Sequence, residues 1–507
     1  MKNKIVTYFS KDTTDWKFWV FWALIFKLAF FLFKIFTRTH MVQVIDGFWG
    51  YTDADTSGYF GPIENLLKTG NYSPDYRMPG YGIFYLPFAL IFSKALACNL
   101  VIIVQLFLSA ISVYALALIS KMIFKTEKYF YWTFFLFTIS CYTCSFDTWL
   151  MTECLTTSFL IFSAYFLVKS MESGKVVHIF LSGLFLTWCI FCRPVFFPLL
   201  FFYLIFILVK IPGKLKSFIV FFVPFLVSDS IWIYHNYRKY DAICPLLNNQ
   251  HSFFNPIIGK TENANQQYFN HINDPDSGVS FNHIMNHYGQ AWGAPDIYDP
   301  NDIFRSHRFE NGKYQSFINV AAVPGYSFTS RFTKDSLIKL NQLMDTIRLH
   351  EKGWDNKTQK VYAVLLTNKI KDYATSLKSE KPFVYYVKAP LILLKRFILN
   401  SGSPVLLDKP VSMHTPVLFA LKVLFAIIYY VVLAMCLLGF LLMGKKILNF
   451  KSAEFLVMGI MAFVIIIHPL ILRYSVTRYL VPAYPFMVLV SVVGLNWVCS
   501  KFATGKK

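Results

Sequence analysis

The residues best suited to chemistry lie in one polar stretch, residues 51–87, just after the first apolar segment of the chain. This stretch contains Asp53 and Asp55. Two carboxylates at this spacing suit a divalent metal, because carboxylate oxygens bind hard cations. They also suit general-base catalysis beside an apolar surface. Ordinary solvated acids in a loop would show the same spacing, so the pair alone does not establish a metal site or a general base. Other residues of the stretch that could complete a site are Tyr59, Glu64, Arg77 and Tyr81.

The composition is that of an integral membrane protein. The 507 residues are 55% hydrophobic and only 15% charged. Apolar runs of about 20 residues recur, and a run of that length crosses a bilayer as a helix. The net charge is +21, but the basic residues form no single block. In a membrane protein such an excess is explained by topology and anionic lipid, so we expect no nucleic-acid partner.

Hydropathy predicts an all-α polytopic membrane protein with about ten transmembrane helices. Two other apolar segments are not counted as spans: 81–97 is predicted to be an interfacial or re-entrant helix, and 381–400 an amphipathic helix on the membrane surface. The first is short and contains Pro87, and the second mixes basic with apolar residues. The predicted spans are 16–36, 99–121, 129–147, 150–168, 176–192, 194–209, 217–235, 416–443, 453–472 and 479–499.

The short lysine-rich connections predict the orientation of these spans. With ten spans they all fall on one side, which places both termini in the cytoplasm of a multi-pass protein of the inner or plasma membrane. The first external loop, 37–98, then faces the periplasm or exterior. The predicted domains are an N-terminal membrane module, 1–235, that carries this loop, a mixed external region, 236–415, and a C-terminal membrane module, 416–507.

Part of the first loop follows a recognisable pattern, formed by Asp55 and Tyr59, Asn65-Leu66-Leu67 with Gly70 and Tyr72, and Arg77, Pro79, Gly80 and Tyr81. This pattern resembles the first external loop of the GT-C superfamily. These are polytopic glycosyltransferases that use lipid-linked sugars, such as protein O-mannosyltransferases and the aminoarabinose transferases of lipid A. The likeness is specific over residues 46–125, looser to about residue 210, and weak in the external region. Gly82 departs from it, since a second proline is common there, and so does Glu64, where a small residue is common.

Later motifs fit the same resemblance, namely Thr152-Glu153, Gly183 with Arg193-Pro194, Arg473-Tyr474 and the run from Arg478 to Pro482. Arg77 of the first loop and the three arginines of these motifs are predicted at the outer membrane boundary, where the positive-inside rule does not favour them. Guanidinium groups bind phosphate bidentately and stay charged when partly desolvated. Snorkelling, or pairing with Glu153, Asp147 or lipid headgroups, is the alternative. The predicted donor-phosphate ligands are Arg77, Arg193, Arg473 and Arg478.

The resemblance implies an inverting membrane glycosyltransferase. It would move a hexose or pentose from a dolichyl- or polyprenyl-phosphate carrier to an extracytoplasmic acceptor, which is a cell-envelope glycan, a lipid or a protein. Asp55 would be the general base, with Asp53 as the second candidate. Region 236–415 would contact the acceptor. The chain has no Gly-rich phosphate loop, as expected for a lipid-linked donor. The implied substrate-pocket residues are Tyr59, Glu64, Tyr81, Glu153, Tyr474 and Tyr479.

The sequence also bears on whether the protein uses a cofactor and on which other functions it could have. We expect no cofactor and no metal, although a divalent ion at Asp53 and Asp55 stays an alternative, because oligosaccharyltransferases of this superfamily use one. His283 and His287 could share a helix face, but no Cys or Glu completes a zinc pattern. A transporter or flippase of lipid-linked saccharides is the competing class, and missing inverted repeats argue against it. An oligosaccharide ligase or polymerase is a third possibility.

Overall fold

A computed structural model describes residues 12–37, 45–52, 54–72, 77–211, 213–240, 242–243, 245–246, 258–259, 281–294, 305–310, 313–350, 356–402, 416–444 and 452–504. Asp53 lies outside the described residues. The chain divides into two compact units. Unit 1 comprises Met1–Asn265, Ser401–Val464 and Leu480–Lys507, and unit 2 comprises Gln266–Asn400 and Ile465–Tyr479.

Helices account for most of the described chain. The N-terminal helices are α1 (Trp16–Phe36), α2 (Ala54–Thr69), α3 (Gly80–Ala89), α4 (Lys94–Phe124), α5 (Glu127–Thr138), α6 (Cys141–Asp147), α7 (Thr152–Ser173), α8 (Val176–Cys192), α9 (Phe197–Lys210) and α10 (Lys214–Tyr240). The middle elements are β1 (Ala242–Ile243), β2 (Ile258–Gly259), α11 (Phe281–Trp292), β3 (Arg305–Glu310), β4 (Lys313–Ile318), α12 (Lys334–His350), α13 (Asn356–Glu380) and α14 (Ala389–Leu399). The C-terminal helices are α15 (Pro416–Leu442), α16 (Ala453–Ile466) and α17 (Tyr484–Thr504).

In the described part of the chain, seven helices are long and apolar enough to cross a membrane: α1, α4, α7, α10, α15, α16 with the turn that follows it, and α17. The prediction of an all-α polytopic membrane protein with a mixed external region is confirmed, and seven of the described helices meet this length and composition, against about ten predicted spans. Residues 129–147 form two helices, because the Ser140 side chain accepts a hydrogen bond from the Thr143 N–H and starts α6. The helices Val176–Cys192 and Pro194–Lys210 are apolar but short. At 1.5 Å per residue each reaches about 25 Å, less than a typical hydrocarbon core.

The helices of unit 1 pack along α4, against which α1, α5 and α7 lie, while α8 packs between α7 and α10. Glycines allow two closer crossings. A Cβ on Gly183 of α8 would lie 2.1 Å from the Phe221 carbonyl oxygen of α10. On α15 and α17, a Cβ at Gly439 would lie 2.2 Å from a carbonyl oxygen of α17, and one at Gly494 would lie 2.3 Å from the Met435 oxygen. Small residues let helix backbones approach within a membrane, so these glycines set the crossings.

Unit 2 mixes helices with a two-stranded antiparallel sheet formed by β3 and β4. Its core holds Tyr288 and Trp292 of α11 with Tyr373 of α13, and the rings of the two tyrosines lie 4.6 Å apart. The buried Asn341 of α12 accepts from the Ile318 N–H at 3.1 Å and donates to the Ile318 carbonyl at 2.9 Å. This paired amide bond attaches α12 to the end of β4.

Unit 2 overlaps the predicted external region, 236–415, but its bounds differ. Its main segment begins at Gln266 and ends at Asn400. It also includes Ile465–Tyr479, a segment that hydropathy assigns to the C-terminal membrane module. Two of the predicted site motifs, the Arg-Tyr pairs at 473–474 and 478–479, therefore belong to unit 2.

The crossing of α15 and α17 generates a first prediction. Replacing Gly494 by leucine should destabilise the protein by about 1–3 kcal/mol, because the new side chain has to displace the Met435 carbonyl. Thermal unfolding of the purified protein in detergent measures this. Gly61→Ala is the matched control, since a Cβ at this helical glycine meets nothing within 4 Å. An unchanged melting temperature for Gly494→Leu would show that the two helices do not approach so closely.

Candidate active site

The structure brings three residues of the first-loop pattern together around one ion pair. Arg77 Nη2 donates to Asp55 Oδ1 at 2.6 Å. The side chain of Asp55 is 25% exposed and that of Arg77 is 11% exposed, so the pair lies at a boundary between the protein interior and solvent. The guanidinium carbon lies 4.5 Å from the ring centroid of Tyr59, which makes a cation–π contact. A carboxylate, a cation and an aromatic face are thus arranged within one small site.

Asp55 is held by the start of α2 and by the chain before it. It lies in the first turn of α2, where a carboxylate interacts favourably with the helix dipole. The next residue, Thr56, donates from its hydroxyl to the Leu150 carbonyl at 3.1 Å. Just before α2, Tyr51 accepts from the Leu150 N–H at 2.9 Å and stacks on Trp149 with ring centroids 5.5 Å apart. The base candidate is therefore fixed to the segment that precedes α7.

Arg77 is positioned by the close contact between α3 and α8. A Cβ on Gly80, the first residue of α3, would lie 2.5 Å from the Phe191 carbonyl carbon in the last turn of α8. The Gly80 carbonyl also accepts from Trp188 Nε1 at 3.2 Å. Gly82, which replaces the proline common in the GT-C pattern, lies against α2, since a Cβ there would lie 3.0 Å from the Tyr59 carbonyl oxygen. Both glycines allow backbone contacts that a larger residue would prevent.

Tyr81 is buried behind the ion pair. Its ring packs edge-on against Tyr59 at 5.4 Å, and its hydroxyl donates to Gln105 Oε1 at 2.6 Å. Burial raises the pKa of the Tyr81 phenol well above its usual value, so the hydroxyl keeps its proton. Gln105 in turn donates to the carbonyls of Asp147 and Trp149 at 3.2 and 3.0 Å. Tyr81, which we predicted in the substrate pocket, thus packs against Tyr59 and supports the position of that ring.

A buried ion pair continues this network into the membrane-spanning helices. Lys27 Nζ of α1 lies 2.7 Å from Asp147 Oδ2 at the end of α6, and both side chains are almost fully buried. The Ser109 hydroxyl of α4 donates to the same carboxylate oxygen at 2.9 Å. Three helices are therefore joined at one carboxylate. Sequence reasoning assigned no role to this pair. Polar residues inside apolar segments at positions 27, 105, 109 and 147 were the available signal.

Arg193 and Glu153 form a further buried ion pair in unit 1. Arg193 Nη2 donates to Glu153 Oε1, and Arg193 Nε donates to the Thr152 hydroxyl at 2.7 Å. Glu153 is fully buried and Arg193 nearly so. The pair joins the start of α7 to the end of α8. It adjoins the Asp55 site through Leu150 and Phe191, but the roles of Arg193 as a phosphate ligand and Glu153 as a pocket residue stay predictions.

Glu64 has an ion-pair partner away from Arg77. Its carboxylate lies 2.7 Å from Lys94 Nζ, at the start of α4, and the lysine side chain is 53% exposed. Exposed pairs of this kind contribute little stability. The contact links α2 to α4 and leaves the predicted pocket role of Glu64 untested.

In unit 2, Arg473 is bound to backbone carbonyls. Its Nη1 donates to the Gln290 and Ala291 oxygens, both at 3.3 Å, and its Nη2 donates to the Tyr385 oxygen at 2.6 Å. The first two carbonyls belong to the last turn of α11, whose oxygens lack partners within the helix and favour a cation. The backbone of Arg473 has a φ of 59°, which is unusual for a residue other than glycine. Arg473 therefore stabilises unit 2 by joining the end of α11 to the Tyr385 carbonyl.

The remaining predicted residues cluster around Tyr479 in unit 2. Arg478 Nη2 lies 3.4 Å from the Tyr479 hydroxyl, and its guanidinium lies 5.2 Å from the Tyr479 ring centroid. Tyr474 packs edge-on against the same ring at 6.0 Å, and His468 stacks on it at 5.0 Å. The phosphate-binding role of Arg478 and the pocket roles of the two tyrosines stay predictions.

The sequence offers two places for a metal ion, the Asp53 and Asp55 pair and the His283 and His287 pair. Among the residues that the structure describes, no group of three His, Cys, Asp or Glu side chains could hold a metal ion. His287 Nδ1 lies 2.9 Å from Gln290 Oε1, and the side chain of His283 lies outside the description. Because Asp53 is also outside it, a metal at the Asp53 and Asp55 pair is not tested by the structure.

No protein-family model matches the chain, and no curated protein matches it. Among solved structures, the chain is similar to the archaeal oligosaccharyltransferase AglB from Archaeoglobus fulgidus, in complex with an inhibitory peptide and a dolichol-phosphate. The two share 11% sequence identity and a TM-score of 0.45, over 96% of this chain and 51% of that chain. This chain therefore spans about half the length of that structure.

The buried ion pair generates a second prediction. Lys27→Met should destabilise the protein by about 3–5 kcal/mol, because it leaves the Asp147 carboxylate buried without a counter-charge. The double variant Lys27→Met/Asp147→Leu should recover part of the loss, since an apolar pair can replace a buried ion pair. Thermal unfolding in detergent tests both, with Lys17→Met, an exposed lysine of α1, as the control. Equal melting temperatures for the single variant and the wild type would contradict the buried contact.

Proposed function

We propose that this protein is a membrane glycosyltransferase that transfers a sugar from a polyprenyl-phosphate carrier to an extracytoplasmic acceptor. The observation that carries the proposal is the 2.6 Å contact between Asp55 and Arg77 over the ring of Tyr59. The GT-C resemblance implies that these residues are the base, a donor-phosphate ligand and a substrate-pocket residue. Transfer from such a donor requires a base for the acceptor and a cation for the departing phosphate, and the site supplies both.

Asp55 is the proposed general base. Its carboxylate would take the proton of the acceptor hydroxyl as that oxygen forms a bond to the anomeric carbon. The bond between the anomeric carbon and the carrier phosphate breaks on the opposite face, so the configuration at carbon inverts. The polyprenyl phosphate departs with the electron pair of that bond. A positioned base typically contributes about 10²–10⁴ to the rate.

Arg77 is the proposed ligand of the carrier phosphate. A guanidinium presents several N–H donors in a planar fork, so one edge can bind Asp55 while another binds a phosphate oxygen. A fixed cation stabilises the charge that develops on the leaving phosphate, and its effect is larger where water is partly excluded. The low exposure of the Arg77 side chain suits this role.

The competing functions differ in what they do to the donor. A transporter or flippase would move the lipid-linked saccharide without breaking it, and a ligase or polymerase would use a pyrophosphate-linked oligosaccharide. An ion pair at a half-buried boundary serves bond cleavage better than transport, because it places a proton acceptor beside a phosphate ligand. Incubation of the purified protein with polyprenyl-phosphate sugars and an envelope extract distinguishes them, since only the proposed transferase releases polyprenyl phosphate.

Asp55→Asn should lose nearly all turnover, by about 10²-fold or more, while the protein still folds and inserts. The measurement is release of polyprenyl phosphate from the lipid-linked sugar. The control is Glu127→Gln, because Glu127 also forms an ion pair, with Lys121 at 2.9 Å, but lies on α5 outside the site. Turnover close to the wild-type rate in Asp55→Asn would refute the assignment of the base.

Metal dependence is tested by chelation. Because we assign charge stabilisation to arginine, EDTA should leave the rate of polyprenyl phosphate release unchanged, and added Mn²⁺ should not raise it. An activity that EDTA abolishes and Mn²⁺ restores would place a divalent ion at Asp53 and Asp55 instead.

A further inference from the structure

A buried carboxylate lies in α10, away from the ion pairs described above. Asp229 is 6% exposed, in a helix of unit 1 that is long and apolar enough to span a membrane. Its Oδ1 atom is buried and has no hydrogen-bond partner among the residues that the structure describes. An ionisable residue inside a membrane-spanning helix is costly, and it usually marks a pairing partner or a functional site.

A second unsatisfied polar atom lies one turn further along α10. Trp232 is 5% exposed, and its Nε1 is likewise buried without a partner in the described part of the chain. Residues three apart lie on the same helix face, with Cβ atoms about 5–6 Å apart. A hydrogen-bond acceptor and a hydrogen-bond donor are therefore neighbours in a place where either one alone would be unfavourable.

Two aromatic side chains pack against Trp232. Trp232 stacks on His235 with ring centroids 5.3 Å apart and an interplanar angle of 21°. Tyr72 packs edge-on against both rings, at 6.3 Å from Trp232 and 5.6 Å from His235. Tyr72 follows α2, the helix that carries Asp55. The cluster of Asp229, Trp232, His235 and Tyr72 thus joins α10 to the proposed catalytic loop.

We propose that this α10 cluster binds a hydroxyl group of the saccharide substrate, an inference that rests on the proposed transferase function. One hydroxyl can donate to Asp229 Oδ1 and accept from Trp232 Nε1, which satisfies both atoms at once. An ammonium group would satisfy the carboxylate alone, and a phosphate would be repelled by it. The hydroxyl belongs either to the donor sugar or to a saccharide acceptor.

The test measures binding rather than turnover, by native mass spectrometry of the full-length protein in detergent. One arm uses undecaprenyl phosphate, alone and carrying a hexose, a pentose or an amino sugar. The other arm uses oligosaccharides released from the envelope of the source cells. The variants are Asp229→Leu and Trp232→Phe, each of which removes one unsatisfied atom. Tyr234→Phe is the control, because it removes a hydroxyl from the exposed face of the same helix.

We expect both variants to weaken saccharide binding about tenfold or more, as for the loss of a hydrogen bond to a charged or buried group. Binding of bare undecaprenyl phosphate should not change. A loss in the lipid-linked arm assigns the cluster to the donor sugar, and a loss in the oligosaccharide arm assigns it to the acceptor. Asp229→Leu should fold at least as well as the wild type, because it replaces an unsatisfied polar group by an apolar one.

The proposal is overturned if both variants bind saccharides as the wild type does, or if the wild type binds none in either arm. Ordered water would then be the partner of both atoms. Failure of the transferase function is a separate result. In that case the wild type releases no polyprenyl phosphate, or Asp55→Asn still releases it, while saccharide binding still depends on Asp229 and Trp232.

Discussion

A lysine ammonium inside a membrane-spanning helix needs an anionic partner, and much of unit 1 is organised around that need. Lys27 and Asp147 satisfy each other at 2.7 Å, and neither could be buried alone without a large cost. The contact holds α1 against the end of α6, and Ser109 adds α4 through a hydrogen bond to the same carboxylate. Contacts that are buried and charged tolerate little displacement, so they define how these three helices sit together.

The Lys27–Asp147 pair is connected to the proposed active site by a series of hydrogen bonds and ring contacts. Gln105 binds the carbonyls on either side of Thr148 and also accepts from Tyr81, whose ring supports Tyr59. The backbone bridge between Tyr51 and Trp149 then places the start of α2. A reacting carboxylate has to stay within about 0.5 Å of its working position to be effective. Asp55 lies at the end of a polar chain that begins at a buried ion pair, rather than on a freely moving loop.

Local sequence signals predicted much of this architecture. The bounds of α1 and α8 agree with the predicted segments 16–36 and 176–192, because hydropathy and the flanking polar residues act locally. The first-loop pattern also contains Asp55, Tyr59 and Arg77, which lie in contact in the structure, while their catalytic roles stay predictions. The break at Ser140 was not predicted, since one capping hydroxyl is a weak signal within an apolar run. Partner choice was not predictable either. Whether a buried arginine binds phosphate, a carboxylate or a carbonyl depends on residues far away in sequence.

The four predicted phosphate ligands illustrate this dependence on distant partners. Arg473 is occupied by three backbone carbonyls, and Arg193 by a buried glutamate and a threonine hydroxyl. Arg193 is buried with its glutamate, and the partly buried Arg473 binds three carbonyls at once, so a phosphate would have to break bonds that are costly to leave unmade. Arg77 differs, because its partner Asp55 is one-quarter exposed and can exchange this contact for water or substrate. In the proposed reaction, a phosphate that shares the Arg77 guanidinium would weaken its hold on Asp55 and free that carboxylate to contact the acceptor hydroxyl. Donor binding would then prepare the base, which links the two halves of the proposed reaction through one side chain.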